Sequence, residues 1–145
     1  METKIACMQP YFFPYIGYFQ LIDAVDVYII LDHVSFMKRS YMVRNTLKNN
    51  TTINIPCLGA SQNKSCVEVF ADCTNVWFEK FSKTIAQLYK NEPNYAAICG
   101  QVLIPWQVEL QRLGRPVTIS EFNFTSIYYI CQYLGIESRF YSSVG

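Results

Sequence analysis

From its amino terminus the chain alternates short unbroken apolar runs with longer stretches in which apolar residues recur every three or four positions. Residues 4–8 form the first run. An aromatic-proline loop at residues 10–14 ends it, because neither Pro10 nor Pro14 can donate to a β-ladder and each biases its predecessor toward extended backbone. Across residues 15–25 the clearly polar side chains are Gln20 and Asp23, three apart on one face. That pattern predicts a core helix, begun near Pro14 or Tyr15 and packed around most of its circumference. The run at residues 27–31, bounded by Asp26 and Asp32, predicts a second strand covered on both faces. Strand, helix and strand in such quick succession form a βαβ unit, whose right-handed crossover makes the strands parallel and brings both tips to one edge.

Residues 35–48 are more polar and predict a loop, followed by a hairpin of residues 44–48 and 51–56 turning at Asn49 and Asn50. Residues 59–65 are polar, and residues 67–70 predict one further short strand. The second half is helical by pattern. Trp77, Phe78, Phe81, Ile85 and Leu88 form one stripe opposite Glu79, Lys80, Lys83 and Gln87. Ile98, Val102, Trp106, Leu110 and Leu113 form another, in which Pro105 should kink the helix or begin a second one. A third helix is predicted from about Ser120, as N-cap, to Leu134, with Gly135 just beyond its end and a returning strand at residues 136–141. The order of elements predicts an α/β fold: a three-layer, Rossmann-like parallel sheet core with an added β-hairpin and a helical second half.

At 145 residues the chain suits one domain with a real core. Twelve Lys and Arg against 11 Asp and Glu leave a net charge of +1, which supplies no broad field to attract nucleic acid or a membrane surface. A charged share of 16%, against about 25% in typical domains, implies either a large core or apolar surface that meets a partner. No apolar run approaches the roughly 20 residues a membrane span needs, and residues 1–10 do not resemble an export signal, so a cytoplasmic protein is expected. The six cysteines form no C-x-x-C pair and have one histidine for company, which argues for buried reduced thiols over a metal site.

Ligands of parallel sheets bind beyond the carboxyl ends of the strands. Three segments are expected there: Gln9 to Tyr18, Asp32 to Phe36, and Ser142 with Ser143. Gln9, Pro10, Tyr11, Tyr15, Gly17 and Tyr18 surround the predicted helix start, where free backbone N–H groups and a side-chain-free glycine suit a phosphate or carboxylate. The aromatic cluster reads either as a plug closing the sheet edge or as a stacking platform for a base or sugar ring. Asp32 and His33 are adjacent, yet successive strand residues face opposite ways, so adjacency alone makes no acid/base couple. Lys38, Arg39 and Arg44 are either a solvated loop or the counter-charge for a di- or triphosphate. No Walker A, G-x-G-x-x-G, G-x-S-x-G or H-E-x-x-H pattern is present.

The stretch Met8-Gln9-Pro10-Tyr11-Phe12-Phe13-Pro14-Tyr15-Ile16-Gly17-Tyr18-Phe19-Gln20-Leu21-Ile22 closely resembles the bacterial WbqC-like family. Asp26, Asp32, Lys38-Arg39, Arg44-Asn45, Pro56, the helix ending at Tyr89, Leu134-Gly135-Ile136 and Ser142-Ser143 extend the resemblance nearly end to end. It implies a role in surface-polysaccharide (O-antigen) biosynthesis, as a transferase of an amino-acid or acyl group onto an amino sugar. The implied co-substrate is ATP or a nucleotide-sugar. A looser likeness ties Tyr15-Ile16-Gly17-Tyr18 to the His-X-Gly-His helix start of the nucleotidylyltransferases, with tyrosines in both histidine places. Two departures from the family stand out: His33 replaces a second acidic residue, and family members usually continue beyond Gly145, so a domain shortened at its carboxyl end is expected.

The candidate catalytic residues are Asp32 and His33, with a purely structural histidine as the alternative for the second. Gln9, Pro10, Tyr11, Tyr15, Gly17, Tyr18, Lys38, Arg39, Arg44, Asn45, Ser142 and Ser143 are expected to bind substrate or nucleotide, without a metal. The alternative is a non-catalytic binding or interaction module, working as a homo-oligomer or with a polysaccharide-pathway protein.

Overall fold

The computed structural model describes residues 1–144, and its elements follow the hydrophobic pattern closely. Strand β1 (Ile5–Met8) leads through the aromatic-proline loop into helix α1 (Ile16–Asp23) and strand β2 (Val27–Ile30). The hairpin follows as β3 (Arg44–Leu47) and β4 (Thr51–Asn54), then short strands β5 (Cys57–Leu58) and β6 (Phe70–Ala71). Helix α2 (Asn75–Tyr89), the short α3 (Tyr95–Ile98), α4 (Ile104–Arg112), strand β7 (Val117–Thr118), helix α5 (Ile119–Leu134) and strand β8 (Arg139–Ser142) complete the described chain. Between α3 and α4 the chain makes one wide, π-type turn at Cys99–Leu103, so the break predicted at Pro105 falls just before that residue, which occupies the first turn of α4.

The central sheet is parallel, with β2 between β1 and β8. Its register aligns Ala6, Tyr28 and Phe140 in one row and Met8, Ile30 and Ser142 in the next, all on one face. Helices α1 and α5 pack on that face: Tyr18, Phe19 and Ile22 meet Tyr28, Ile30, Ile127 and Cys131 in one buried cluster. The expected third layer is not found among the described residues. The opposite face carries Ile5, Cys7 and Tyr141 exposed, with Val27 and Ile29 half-buried between them. The run at residues 27–31 is thus continuous in hydrophobicity but covered on one side, and the low surface charge coincides with this open face.

A second core lies beyond the sheet edge, where Phe12, Phe78, Phe81, Trp106 and Phe122 meet with ring centroids 5.2 to 6.4 Å apart. Helix α5 supplies both cores, Ile119 and Phe122 to this one and Ile127 and Cys131 to the other. Its start differs from expectation. Thr118, not Ser120, is the N-cap: its hydroxyl accepts the Glu121 N–H, and the Glu121 carboxylate accepts the Thr118 N–H, completing a capping box. Gly135 ends the helix at φ 71°, in the left-handed region. Thr118→Ala should lower stability by about 1 kcal/mol, read as a lower urea midpoint at unchanged slope.

All six cysteines are free thiols, and the expectation of burial holds for Cys66 and Cys131 but not for Cys7, which is exposed on the open sheet face. Burial pushes the Cys66 thiol up to about 11 and Cys131 up to about 12. Since the folded state holds these protons more tightly than the unfolded chain does, their contribution to stability is full below about pH 8.5, the ordinary thiol range, and shrinks as pH climbs toward the folded values. A thiol-specific disulfide reagent should label Cys7 in the native protein and reach Cys66 and Cys131 only on unfolding.

Candidate functional site

The carboxyl ends of β1, β2 and β8 form a common rim, fixed by the register of Met8, Ile30 and Ser142. Leu31 N–H donates to the Met8 carbonyl at 2.8 Å and Ser143 N–H to the Ile30 carbonyl at 3.0 Å, so pairing continues past the strands and sets the next residues side by side. Asp32 lies there, 6% exposed.

Its carboxylate is held by hydroxyls alone. Ser142 donates to Oδ2 at 2.7 Å, Ser143 to Oδ1 at 2.9 Å, and Ser120, in the first turn of α5, to Oδ2 at 3.4 Å. Among the described residues none of the ion pairs includes Asp32. The first N–H groups of α5 are already taken, Ile119 by the Val69 carbonyl and Ser120 by the Cys66 carbonyl, so Ser120 reaches Asp32 through its hydroxyl.

His33 joins the cluster through Ser143, whose Oγ lies 2.6 Å from His33 Nδ1. The single hydroxyl proton goes to Asp32, and one lone pair accepts the Asp32 N–H at 3.1 Å. The remaining lone pair must accept from the ring, which assigns a proton to Nδ1 and leaves Nε2 of the exposed imidazole free in its neutral form. Asp32 and His33 therefore communicate across a serine 110 positions away and not through adjacency. A cavity of about 240 Å³, lined by Ile30, Asp32, Ser120, Phe124, Phe140 and Ser142 among others, opens beside the carboxylate. Larger cavities lie elsewhere: one of about 580 Å³ lies between α2, α4 and the β6–β7 edge, and one of about 480 Å³ is an apolar space under the hairpin.

The residues around the α1 start are arranged differently from the predicted phosphate mouth. Tyr18 is buried, and its hydroxyl donates to the Gln9 carbonyl at 2.8 Å, while Tyr11 donates to Gln9 Oε1 at 3.2 Å. Burial pushes the Tyr18 phenol well above its usual range. Pro10 is buried too, and its carbonyl accepts from Asn123 Nδ2 at 3.0 Å. A Cβ on Gly17 would fall 2.4 Å from Tyr15 Cε2, so the bare side of that glycine is occupied by the Tyr15 ring, itself 71% exposed. Phe12 and Phe13 pack against Phe81, and for these two rings the plug is the arrangement found.

Of the basic set, Asn45 is a structural tie: its Nδ2 donates to the Phe12 and Phe13 carbonyls at 2.9 and 2.6 Å. Lys38, Arg39 and Arg44 are exposed, and none of them lines the Asp32 cavity. Ser120 is predicted only as an N-cap and not as a partner of Asp32, and Phe124 and Asn123 carry no site signal in the sequence. The T-x-x-E spacing of Thr118 and Glu121 was the one local signal, since it would have put Ser120 inside the helix.

The WbqC-like protein family matches residues 9–144. A Mycobacterium tuberculosis protein, the uncharacterized protein Rv1507c, is 30% identical over 145 residues, an alignment covering 97% of this chain and 60% of that protein. The chain thus spans less than two thirds of the length of this relative. No solved structure matches. Among the described residues, no helix is long and apolar enough to cross a membrane.

Proposed function

Because this chain belongs to the WbqC-like protein family, we propose that it is a single-domain cytoplasmic transferase of surface-polysaccharide biosynthesis, moving an amino-acid or acyl group onto a nucleotide-linked amino sugar. The observation that carries this reading is the buried Asp32 carboxylate, held by three serines at the rim of a parallel sheet and open to a cavity of about 240 Å³. Acyl transfer to an amine needs a group that orients the nitrogen and accepts its proton as the bond forms. Asp32 takes that role. The amine nitrogen attacks the acyl carbon of a phosphate-activated donor; a C–N bond forms, the bond from that carbon to the phosphate oxygen breaks, the amine proton passes to Asp32, and the phosphate leaves as an anion. Three fixed hydroxyls hold the carboxylate in one orientation, so it need not reorganise as charge shifts. His33, linked through Ser143, offers its free Nε2 as a second proton acceptor.

The test is a thermal-shift panel of nucleotides, nucleotide-linked amino sugars and amino acids. A nucleotide-linked amino sugar at a hundred times its Kd should raise the unfolding free energy by about 2.7 kcal/mol. A panel with no shift from that class removes the reading.

A second reading, a non-catalytic module that self-associates, is favoured by the open sheet face with Ile5, Cys7 and Tyr141 exposed. A second copy would cover this face, since parallel sheets are ordinarily buried on both sides. Light scattering after size exclusion decides it: a dimer disrupted by Ile5→Arg supports the module, and a monomer at high concentration removes it.

A further inference from the structure

Between Asp32 and Glu68 the sequence has no acidic residue, yet it holds Lys38, Arg39, Arg44, Lys48 and Lys64, so a nearly neutral protein carries one strongly basic segment. Lys48 pairs with Glu92. Arg39 and Arg44 take part in none of the ion pairs among the described residues, and both line one cavity of about 300 Å³ with Ser40, Tyr41, Asn45 and Thr46. No carboxylate lines it.

The frame of this cavity is already satisfied. Ser40 Oγ donates to the Met37 carbonyl at 2.7 Å and accepts the Met42 N–H at 3.2 Å, closing the turn on which Arg39 sits at φ 61°. Asn45 spends both ends of its amide on the Phe12 and Phe13 carbonyls and the Thr46 N–H. The cationic donors that line it, the two guanidinium groups, are uncommitted, and their planar forks match phosphate oxygens. Tyr41 supplies the other half of a recognition surface: it is 65% exposed, lies 6.0 Å from the Tyr11 ring, and Tyr11 in turn bonds Gln9 at the sheet rim. An exposed ring beside two unpaired arginines accepts a ligand that joins a flat ring to a diphosphate, because stacking tolerates any base while the phosphates fix the anchor point.

We propose that the Arg39–Arg44 cavity, and not the α1 start, binds the nucleoside diphosphate end of the substrate, with both guanidinium groups on the phosphates and Tyr41 against the base. This rests on the reading that the substrate is nucleotide-linked, and it places the nucleotide apart from Asp32, along a row running Tyr41, Tyr11, Gln9.

Calorimetric titration with UDP, inorganic pyrophosphate and uridine tests it without any transfer reaction. UDP should bind the wild-type chain, pyrophosphate should bind more weakly by about tenfold, the worth of one stacked ring, and uridine should give no heat. Arg39→Gln and Arg44→Gln should each weaken UDP about tenfold, and Tyr41→Ala should bring UDP down to the affinity of pyrophosphate. Thermal melts should stay at the wild-type midpoint, since neither arginine has a partner to lose. No UDP binding by the wild type, UDP affinity unchanged in the double arginine variant, or pyrophosphate binding as tightly as UDP would each overturn the assignment. Unchanged UDP affinity in those variants leaves the role of Asp32 standing, whereas arginine-dependent UDP binding by a chain that transfers nothing overturns the transferase reading and keeps this site.

Discussion

Asp32→Asn should lower kcat by about a hundredfold to ten-thousandfold, the range for loss of a positioned acid/base group, while KM moves by no more than a few-fold. The carboxamide keeps the shape of the carboxylate and occupies the same place on the rim, so binding survives. It cannot take up a proton, and one of its ends now donates toward serines that themselves donate. Ser142 Oγ, which accepts the Val144 N–H and gives its proton to Asp32, has no second acceptor at hand. A stability loss of about 1 to 3 kcal/mol should accompany the change, since a charge-assisted hydrogen bond is exchanged for a mismatched one. Kinetics should be read with circular dichroism on the same sample. A variant that keeps its fold and turns over within a few-fold of wild type would show that Asp32 is a structural carboxylate.

Asn123→Leu should cost about 3 kcal/mol, because a side chain of similar size leaves two buried carbonyls without donors, at about 1 to 3 kcal/mol each. Asn123 is fully buried in the middle of the first two turns of α5, and its Nδ2 donates to Pro10 O at 3.0 Å and Met42 O at 2.8 Å. One amide thereby ties the loop after β1 to the chain entering the hairpin, and so holds the Gln9 rim against the Tyr41 loop. Denaturation with urea should show the loss at unchanged slope. Substrate affinity should fall along with stability, whereas Thr118→Ala, which weakens the same helix at its cap, should leave affinity alone. If Asn123→Leu were as stable as wild type, the Phe12 N–H to Tyr41 carbonyl bond at 2.7 Å and the Asn45 ties would be sufficient to hold the two loops together.

Much of the fold was legible because its signals are local. The apolar runs after Lys4 and Asp26, the prolines between them and the Gly135 stop are short-range statements, and the parallel pairing follows from chain connectivity. The sheet edge also followed, since parallel strands deliver Gln9, Asp32 and Ser143 to one side whatever packs above them. Other features depend on what meets across the chain. Ile5 and Cys7 read as core because they belong to an apolar run, yet alternation puts them on the face that the helices leave bare. The hairpin turn came within one residue: Asn49 and Asn50 take φ 58° and 55°, as expected of asparagines in a tight turn, but Leu47 pairs with Thr51, so Lys48 joins the loop.

The site was legible in its members more than in its wiring. Asp32, His33, Ser142 and Ser143 were all placed on the rim, but the serine bridge between Asp32 and His33 spans 110 positions and has no local signature. Ser120 was hidden for the same reason, at a separation of 88. Tyr18 and Gly17 show the converse, in which a suggestive local motif is absorbed by packing. The Tyr18 hydroxyl is used by the Gln9 carbonyl, and Gly17 gives room to the Tyr15 ring.

A crystal structure of the chain with a bound nucleotide-linked amino sugar tests the central claim most directly. The sugar nitrogen should lie within hydrogen-bonding distance of the Asp32 carboxylate, beside Ser142. A ligand seated in the apolar cavity under the hairpin, with the cavity beside Asp32 empty, would contradict the account.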